Sequence, residues 1–251
     1  MNLKGQNILV TGASKGIGYG IADYLLKHGA KVGVHYHSGR TQADSLVEKY
    51  GSENAKALQA DLANSNEVLL LFEKAVDFLG KIDTLILNAG VFISHPMNAG
   101  IKDWYRVWKQ TLAVNLDAVG LMTKVSLDHF MGNSCGRIIY IGSRAAFRGE
   151  TEEYLAYAAS KGGLTSLARS VARSFGKYNI KAFVIAPGFT RTAMAEQFIG
   201  EYGEAKVLDE IALNTLTEVS DIAPLVGFMS TGAMDHATGT TIDINAGSYI
   251  H

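Results

Sequence analysis

Tyr157 and Lys161 lie four residues apart in a stretch, Tyr154–Tyr178, whose periodicity predicts a helix. Residues at positions i and i+4 share one face of a helix, so the phenol and the ammonium group should project side by side. At about 5 Å and an effective dielectric constant of about 20, the cation stabilises a phenolate by roughly 3 kcal/mol, or some two pKa units. The pair therefore predicts a tyrosine that transfers protons near neutral pH. Tyr154 gains nothing comparable, since its own i+4 partner is Ala158.

Ser143 and Asn115 are two further polar residues that could take part in this chemistry. Ser143 follows the predicted strand Arg137–Ile141, and open α/β sheets bind ligands at the carboxyl ends of their strands. Its hydroxyl is therefore predicted to hold a substrate carbonyl beside the phenol. Asn115 falls in the middle of a predicted helix, Asp103–Met131, where asparagine is a poor helix former. From the residues alone, Asn115 is equally well explained as a polar residue satisfied by a neighbouring helix.

A glycine-rich turn stands between the first predicted strand and the first predicted helix. Residues 11–18 read TGASKGIG, with the spacing Gly-x-x-x-Gly-x-Gly. Glycines let the backbone approach a pyrophosphate, which then lies at the positive end of the helix dipole. An ordinary tight turn also uses glycine, but the position near the start of the chain favours a dinucleotide site. Its predicted cofactor contacts are Gly12, Ser14, Lys15, Gly16, Ile17 and Gly18.

The end of the second predicted strand indicates which dinucleotide binds. NAD enzymes place an acidic residue there for the ribose 2′-hydroxyl, whereas NADP enzymes need cations for the 2′-phosphate. Residues 34–40 read VHYHSGR and contain no Asp or Glu. Arg40 and Lys15 are the available cations, with His37 and Ser38 as further contacts, although Arg40 could instead begin a solvated helix. We predict NADP(H) as the preferred cofactor, with NAD(H) as the alternative.

Short apolar runs alternate with longer helical patterns along the chain. The predicted strands are Asn7–Thr11, Lys31–Tyr36, Ala55–Ala60, Ile82–Leu87, Arg137–Ile141, Lys181–Ile185 and Thr240–Ile244. The predicted helices are Gly16–His28, Gln42–Tyr50, Ser65–Leu79, Asp103–Met131, Tyr154–Tyr178 and Ser220–Ser230. This alternation predicts an α/β protein: a single-domain Rossmann fold with a doubly wound, parallel seven-stranded sheet and helices on both faces. No composition break divides residues 1–251, so we expect one NAD(P)-binding domain.

Composition excludes several other classes of protein. The 251 residues are 47% hydrophobic and carry a net charge of −1, which argues against disorder and against binding of a nucleic-acid backbone. Cys135 is the only cysteine, so neither a disulfide framework nor a four-cysteine zinc site is present, and we predict no metal. No apolar stretch reaches the roughly 18 residues of a membrane span, and no signal-peptide pattern is found. We therefore expect a cytoplasmic protein without membrane or nucleic-acid partners.

Together these motifs resemble those of the short-chain dehydrogenase/reductase family over essentially the whole chain. The family's catalytic tetrad is matched in order by Asn115, Ser143, Tyr157 and Lys161. Three segments of this chain resemble the family's cofactor-binding motifs: Asp61 with Leu62, then Asn88-Ala89-Gly90, and finally Pro187-Gly188 with Thr190 and Thr192. Its C-terminal end resembles Thr238-Gly239 and Ala246-Gly247. Two positions depart from the usual pattern, since Leu87 replaces an asparagine and Ala246 replaces a glycine.

The resemblance implies a role for each of these residues. Tyr157 would give a proton to a carbonyl oxygen or remove one from an alcohol, while Lys161 would hold the nicotinamide ribose and lower the pKa of the phenol. Ser143 would orient the substrate oxygen, and Asn115 would position a water in a proton relay toward Lys161. Asp61 would contact the adenine ring, and residues 187–192 would hold the nicotinamide carboxamide. The implied reaction is hydride transfer between the nicotinamide and a substrate carbon.

Within the family, the nearest resemblance is to the 3-oxoacyl-(acyl carrier protein) reductases, chiefly in length and motif wording. An acidic carrier protein would favour a basic docking surface. Residues 126–136, at the end of the predicted long helix and just after it, contain no Lys or Arg. The segment between Ser143 and Tyr157 is polar rather than apolar. We expect its Arg144 and Arg148 to be solvated surface charges, with contact to an anionic or polyhydroxyl substrate as the alternative.

A variable stretch at residues 190–216 is predicted to form a substrate lid. Its apolar side chains are Met194, Phe198, Tyr202 and Leu208, which could instead be the buried face of short helices. The resemblance also implies a homotetramer, or a dimer, built through the two long helices and the C-terminal strand. Apolar residues on more than one face of both helices agree with such contacts.

Three functions from different classes are compatible with these residues. The first, which we prefer, is an NADP(H)-dependent carbonyl reductase or alcohol dehydrogenase acting on a small molecule. The second is an NAD-dependent sugar or polyol dehydrogenase. The third is a non-catalytic dinucleotide-binding sensor, which predicts a damaged tetrad, whereas here all four positions carry the expected residue types.

Overall fold

A parallel sheet forms the centre of the molecule. The structure, a computed structural model, describes residues 1–192, 195, 199–200 and 203–250. In this part of the chain the strands are β1 (Asn7–Val10), β2 (Lys31–Tyr36), β3 (Ala55–Gln59), β4 (Thr84–Leu87), β5 (Gly136–Ile141), β6 (Ile180–Pro187) and β7 (Thr241–Ile244). Their order is β3-β2-β1-β4-β5-β6-β7, and all of these pairings are parallel.

Helices connect the strands and cover both faces of the sheet. They are α1 (Gly16–Lys27), α2 (Arg40–Tyr50), α3 (Ser65–Leu79), α4 (Ile101–Leu112), α5 (Ala118–Asn133), α6 (Ala145–Arg148), α7 (Leu155–Phe175), α8 (Glu204–Leu208) and α9 (Val219–Ser230). A π-helical turn, Ala113–Asp117, joins α4 to α5, and short 3-10 helices span Gly176–Tyr178 and Asp235–Ala237. No helix of the described residues is long and apolar enough to cross a membrane.

Alternate residues of the central strands point to opposite faces, which gives the molecule two apolar cores. Leu85 and Leu87 of β4 belong to the core on the side of α3, α5 and α7. Ile86, between them, belongs to the core on the side of α1, α2 and α9. Because both faces are covered, the strands are continuous apolar runs, as parallel sheets require.

The predicted fold class is confirmed, but several predicted boundaries were wrong. The helix predicted at Asp103–Met131 is divided by the π turn at Ala113–Asp117, because one extra residue in the backbone ladder hardly changes the hydrophobic pattern. The helix predicted to reach Tyr178 ends at Phe175, and β6 continues past Ile185 because it still pairs with β7. Helices α6 and α8 were missed, since one turn carries no periodicity.

The strand order reverses direction between β1 and β4. Strands β2 and β3 are added on one side of β1, whereas β4 to β7 are added on the other side. Ligands of open α/β sheets bind at such a switch point, beyond the carboxyl ends of the strands. Thr11 follows β1, Asn88 follows β4, and Ser143 lies two residues after β5. The fold therefore brings the glycine turn and the predicted catalytic serine to one edge of the sheet.

Candidate active site

The glycine turn after β1 has no room for side chains at two of its glycines. Gly12 has a φ of +64°, and a Cβ atom there would lie 2.8 Å from the Cα atom of Ala89. At Gly18, a Cβ atom would lie 2.2 Å from the carbonyl oxygen of Gly12. The turn is therefore packed directly against the start of α1 and the end of β4, and its own backbone lines the cleft.

Asn88 fixes the glycine turn to the end of β4. Its Nδ2 donates to the carbonyl oxygens of Thr11 (3.0 Å) and Gly12 (3.1 Å). In return, Thr11 Oγ1 accepts the backbone N–H groups of Asn88 (2.9 Å) and Ala89 (3.0 Å). The side chain of Asn88, predicted as a cofactor contact, thus holds the turn that approaches the cofactor.

His35 of β2 supports the same turn from the other side, and the sequence analysis missed it. Its Nδ1 accepts the backbone N–H of Gly12 (2.9 Å), so the ring proton belongs on Nε2, which lies 3.1 Å from the carbonyl oxygen of Ala60. The ring is 2% exposed. Burial lowers the pKa of His35 to about 4, with smaller effects of the Ala60 hydrogen bond, which raises it, and of His37.

The start of α1 fits a pyrophosphate group. Lys15 occupies the N-cap position and is exposed, and its side chain makes no capping hydrogen bond to the first turn. The N–H groups of Gly16, Ile17 and Gly18 are among those that a helix cannot satisfy internally. Free amides beside a backbone-lined cradle are the usual binding site for a phosphate group.

The loop from β2 to α2 carries the residues predicted to select NADP. His37 and Ser38 are exposed, and Arg40 begins α2 with its side chain 77% exposed and 3.2 Å from Asp44 Oδ2. A Cβ atom on Gly39 would lie 2.6 Å from Ser14 Oγ, so the loop touches the glycine turn. Arg40 therefore starts a solvated helix, four residues after the end of β2.

Two further predicted cofactor segments line the same edge. Asp61 accepts the N–H of Ala63 through Oδ1 (2.9 Å), and the adjacent Leu62 is buried. At the other end, a Cβ atom on Gly16 would lie 3.4 Å from Thr192 Cγ2, so residues 187–192 extend from β6 to the start of α1. Thr190 Oγ1 donates to the carbonyl oxygen of Gly188 (3.2 Å) within this segment, which begins at Pro187.

Ser143 lies close enough to Tyr157 for its hydroxyl group to lower the pKa of the phenol. Ser143 is buried, and its Oγ accepts the N–H of Ala145 at 3.1 Å. Burial raises the pKa of Tyr157, Ser143 lowers it, and Glu150 raises it. The spacing of Tyr157 and Lys161 predicted a lowered pKa, because the neighbouring ammonium lowers it, but the loss of solvation has the larger effect. This expectation was wrong for the chain alone, in which Tyr157 is a protonated phenol at neutral pH.

Lys161 lies beside this pair in the interior. It is 4% exposed, its Nζ donates to the carbonyl oxygen of Ile141 (2.8 Å), and the same atom lies 5.7 Å from the centre of the Tyr157 ring. Burial lowers the pKa of Lys161 to about 8. A Cβ atom on Gly90 would lie 3.6 Å from Nζ, so a glycine there leaves room for the ammonium group.

Asn115, fully buried in the π turn, holds the loop after β4. Its Oδ1 accepts the N–H of Val91 (2.8 Å), and its Nδ2 donates to the carbonyl oxygen of Val91 (2.9 Å) and to Ser160 Oγ (3.2 Å). Ser160 in turn donates to the carbonyl oxygen of Tyr157 (2.7 Å). The structure thus brings all four predicted tetrad residues into one connected cluster.

Aromatic residues missed by the sequence analysis surround Tyr157. The ring of Phe92 stacks on Tyr154 at 3.8 Å between centres and meets the Tyr157 ring edge-on at 4.8 Å. His95, 1% exposed, accepts the N–H of Ala156 through Nε2 (3.0 Å), which ties the loop after β4 to the start of α7. No pattern in the sequence signals these contacts, because their partners lie about 60 residues away.

Arg144 is not the solvated surface charge that was expected. Its side chain is 8% exposed, and its backbone N–H donates to the carbonyl oxygen of Pro187 (3.2 Å). Its guanidinium group pairs with Glu210, which a residue count along the chain could not anticipate. Arg148 is more accessible, at 31%, and contacts Glu150 and Glu210.

Comparisons with known proteins agree with this geometry. The family model described as short chain dehydrogenase matches residues 6–202. The chain is 32% identical over 251 residues to the 3-oxoacyl-[acyl-carrier-protein] reductase FabG of Escherichia coli (strain K12), covering 100% of both. It is 30% identical over 250 residues to the enzyme of that name from Salmonella typhimurium, again covering 100% of both.

A solved structure is also similar. The 3-ketoacyl-(acyl-carrier-protein) reductase of Brucella melitensis, complexed with NADH, aligns with a TM-score of 0.88 and 26% identity. The alignment covers 99% of this chain and 100% of that one.

The chain belongs to the short-chain dehydrogenase/reductase family. It is a NAD(P)-dependent oxidoreductase that acts on carbonyl or alcohol groups of small molecules. The predictions of family, fold class and enzyme class are confirmed.

The buried imidazole of His35 predicts a pH-dependent stability. Its pKa is about 4 in the folded chain against 6.5 as the ordinary value, so the unfolded chain binds the proton more readily. The stabilisation is complete above pH 6.5 and is lost as the pH falls to about 4, a loss of about 3 kcal/mol. Urea unfolding of the wild type and of His35→Gln across this range measures it.

The wild type should lose more unfolding free energy than His35→Gln as the pH falls, because glutamine keeps a hydrogen-bond acceptor but does not titrate. Parallel pH profiles for the two proteins would show that His35 is not the group responsible.

Proposed function

We propose that this enzyme is an NADP(H)-dependent oxidoreductase that interconverts a carbonyl group and a secondary alcohol, with Tyr157 as its acid and base. The meeting of Ser143 and Lys161 at the phenol of Tyr157, with Lys161 Nζ 5.7 Å from the centre of its ring, is the observation that supports this most strongly. A ketone oxygen beside both hydroxyls can accept two hydrogen bonds, and the proton from Tyr157 then becomes that of the alcohol. The raised pKa of Tyr157 keeps this proton on the phenol at neutral pH, which favours reduction.

Lys161 and Asn115 are proposed to serve Tyr157. The ammonium of Lys161 stabilises the phenolate that remains after proton transfer, and it also holds the ribose hydroxyls. Asn115 positions the water from which the proton is replaced by way of Lys161. Because its side chain is bonded to Val91 and Ser160, the backbone of the π turn is the part of Asn115 left for that water.

A nicotinamide dinucleotide, when bound, supplies or accepts the hydride. The crowded glycines and the free amides of α1 support a pyrophosphate position in the turn. The residues proposed to hold the cofactor are Gly12, Ser14, Lys15, Gly16, Ile17, Gly18, His37, Ser38, Arg40, Asp61, Leu62, Asn88, Ala89, Gly90, Tyr157, Lys161, Pro187, Gly188, Thr190 and Thr192.

The charges near the end of β2 lead us to propose NADP(H) as the preferred cofactor. The end of β2 offers no carboxylate for a ribose 2′-hydroxyl, whereas Lys15 and Arg40 are both exposed near it. Arg40 would exchange Asp44, an exposed partner of small energetic value, for a 2′-phosphate. The NADH bound to the Brucella protein belongs to that protein and leaves NAD(H) as the alternative here.

A 3-oxoacyl thioester is the second candidate substrate, favoured by the names of the relatives. The end of α5, residues 126–133, and the residues that follow it up to 136 carry no Lys or Arg with which to attract an acidic carrier protein. We therefore propose carbonyl reduction as the reaction and leave the acyl carrier as a candidate partner.

Residues 190–216 are proposed to cover the substrate as a lid. Met194, Phe198 and Tyr202 lie outside the described residues, whereas Leu208 is half-buried in α8. The base of the segment is closed by a bridge between Thr190 and Thr217. If the lid closes, adding substrate should quench or shift the fluorescence of bound NADPH, excited directly rather than through tryptophan. Unchanged NADPH fluorescence would argue against lid closure.

We also propose a homotetramer, built through the long helices and β7. Ile101 and Tyr105 of α4 are 77% and 52% exposed, which supports a partner on that face. Sedimentation equilibrium tests this directly, and a mass of 27.0 kDa would identify a monomer instead.

Replacing Tyr157 with phenylalanine should abolish turnover while NADPH still binds. The variant keeps the ring that contacts Phe92 and loses only the hydroxyl, so kcat should fall by about a hundredfold to ten-thousandfold. NADPH oxidation with a panel of ketones measures kcat, and fluorescence titration measures binding. Tyr178→Phe, at an exposed position in the 3-10 helix that follows α7, is the matched control and should keep full activity. Activity retained in Tyr157→Phe would refute the assigned role.

NADPH should bind more tightly than NADH, by about tenfold or more. Removing both cations, in Lys15→Ala/Arg40→Ala, should weaken NADPH binding by at least that factor and weaken NADH binding much less. Lys27→Ala, at the other end of α1, is the control. Equal dissociation constants for both nucleotides in the wild type would contradict the proposal.

A further inference from the structure

Arg144 is a charged side chain enclosed beside the proposed reaction centre. It follows Ser143 directly, its side chain is 8% exposed, and its backbone N–H donates to the carbonyl oxygen of Pro187 at 3.2 Å. Burial lowers the pKa of the Arg144 guanidinium, and the nearby charge of Arg148 lowers it further. A guanidinium group is taken out of water at such a cost only where anions or carbonyl oxygens receive its N–H groups.

Glu210 satisfies only part of the Arg144 guanidinium group. Its Nη2 lies 3.2 Å from Glu210 Oε2, but its Nη1 is buried and has no hydrogen-bond partner among the residues that the structure describes. Glu210 also serves Arg148, whose Nη1 lies 3.5 Å from the same oxygen. A guanidinium can hold both oxygens of one carboxylate through two parallel N–H groups, and Arg144 does not reach that arrangement with Glu210.

Glu210 is well placed to be exchanged for another anion. Its side chain is 52% exposed, and it lies just after α8 in the segment proposed as a lid. An ion pair with so exposed a carboxylate contributes little, so a competing carboxylate can replace it at small cost. The charges that face the two arginines in the described structure are Glu210 and Glu150, the latter 3.8 Å from Arg148.

The arginines are close enough to the reaction centre to position a substrate. Glu150, the partner of Arg148, acts electrostatically on both Arg144 and Tyr157, and Arg144 follows Ser143 directly in the chain. An anionic group held at Arg144 would therefore lie at the same edge of the sheet as a carbonyl held by Ser143 and Tyr157.

We propose that Arg144 binds a free carboxylate of the substrate in place of Glu210, so that the substrates are short oxo acids and the corresponding hydroxy acids. This inference rests on the proposed function. In reduction, the ketone carbon gains the hydride and its oxygen gains the proton of Tyr157, so oxo acid, NADPH and H⁺ give hydroxy acid and NADP⁺. The carboxylate is unchanged and serves only for recognition.

Matched pairs of ketones test the proposal: acetoacetate with methyl acetoacetate, and levulinate with methyl levulinate. The wild type should favour each acid over its ester by about tenfold or more in kcat/KM. Arg144→Met should remove that preference mainly through a higher KM for the acids, with the esters unchanged, and Arg144→Lys should restore part of it. Arg173→Met, exposed at the far end of α7, is the control.

The Glu210→Gln variant distinguishes two roles of Glu210: a carboxylate that the substrate displaces from Arg144, and a residue that only supports the structure. Because the competing carboxylate is removed, this variant should have a lower KM for the acids, whereas loss of a merely structural ion pair would raise KM or leave it unchanged. Equal use of acids and esters by the wild type, or an equal loss for both in Arg144→Met, would overturn the inference while leaving the proposed function intact.

If no ketone of either kind is reduced, the proposed function fails, and the carboxylate site is still decided by binding. Levulinate should raise the Tm of the wild-type complex with NADPH but not that of the Arg144→Met complex. An equal Tm shift in both proteins, or none in the wild type, would overturn the inference.

Discussion

A lysine ammonium removed from water is the constraint on which the site depends. Lys161 is 4% exposed, and its pKa falls to about 8 because the protein replaces its hydration incompletely. A fixed dipole, the carbonyl oxygen of Ile141 at the end of β5, takes the place of water at 2.8 Å. The central sheet thus determines where the ammonium lies, and α7 carries the phenol of Tyr157 beside it. Gly90 lies against both groups, since a Cβ atom there would be 3.3 Å from Asn115 Oδ1 and 3.6 Å from Nζ.

Residues 88–91 couple the cofactor turn to this buried cation. Asn88 and Ala89 are bonded to Thr11 of the glycine turn, whereas Val91 is bonded through both its N–H and its C=O to Asn115. A displacement of β4 would therefore disturb both halves of the site together. The peptide groups of this segment are satisfied by side chains rather than by a further strand, which is why the chain can turn out of the sheet between the two halves.

The fold and the Tyr157–Lys161 pair were predictable from the sequence for a physical reason, whereas the role of Asn115 came only from the family resemblance. Covered parallel strands must be apolar runs, and a phenol and an ammonium spaced i, i+4 on a helix must share a face. The raised pKa of Tyr157, the burial of Arg144 and the role of His35 were not predictable, because each depends on solvent exclusion or on backbone groups distant in the sequence. The π turn at Asn115 was not predicted for a different reason. It changes the backbone hydrogen bonds of the helix but leaves the pattern of apolar residues unchanged.

The most direct test is an NMR titration of lysine side chains labelled with ¹³C at Cε, comparing the wild type with Lys161→Arg in the absence of cofactor. One lysine signal of the wild type should titrate near pH 8 and be missing from the variant. A wild type in which each lysine titrates at or above the ordinary value of about 10.4 would contradict the buried cation and the catalytic arrangement built around it.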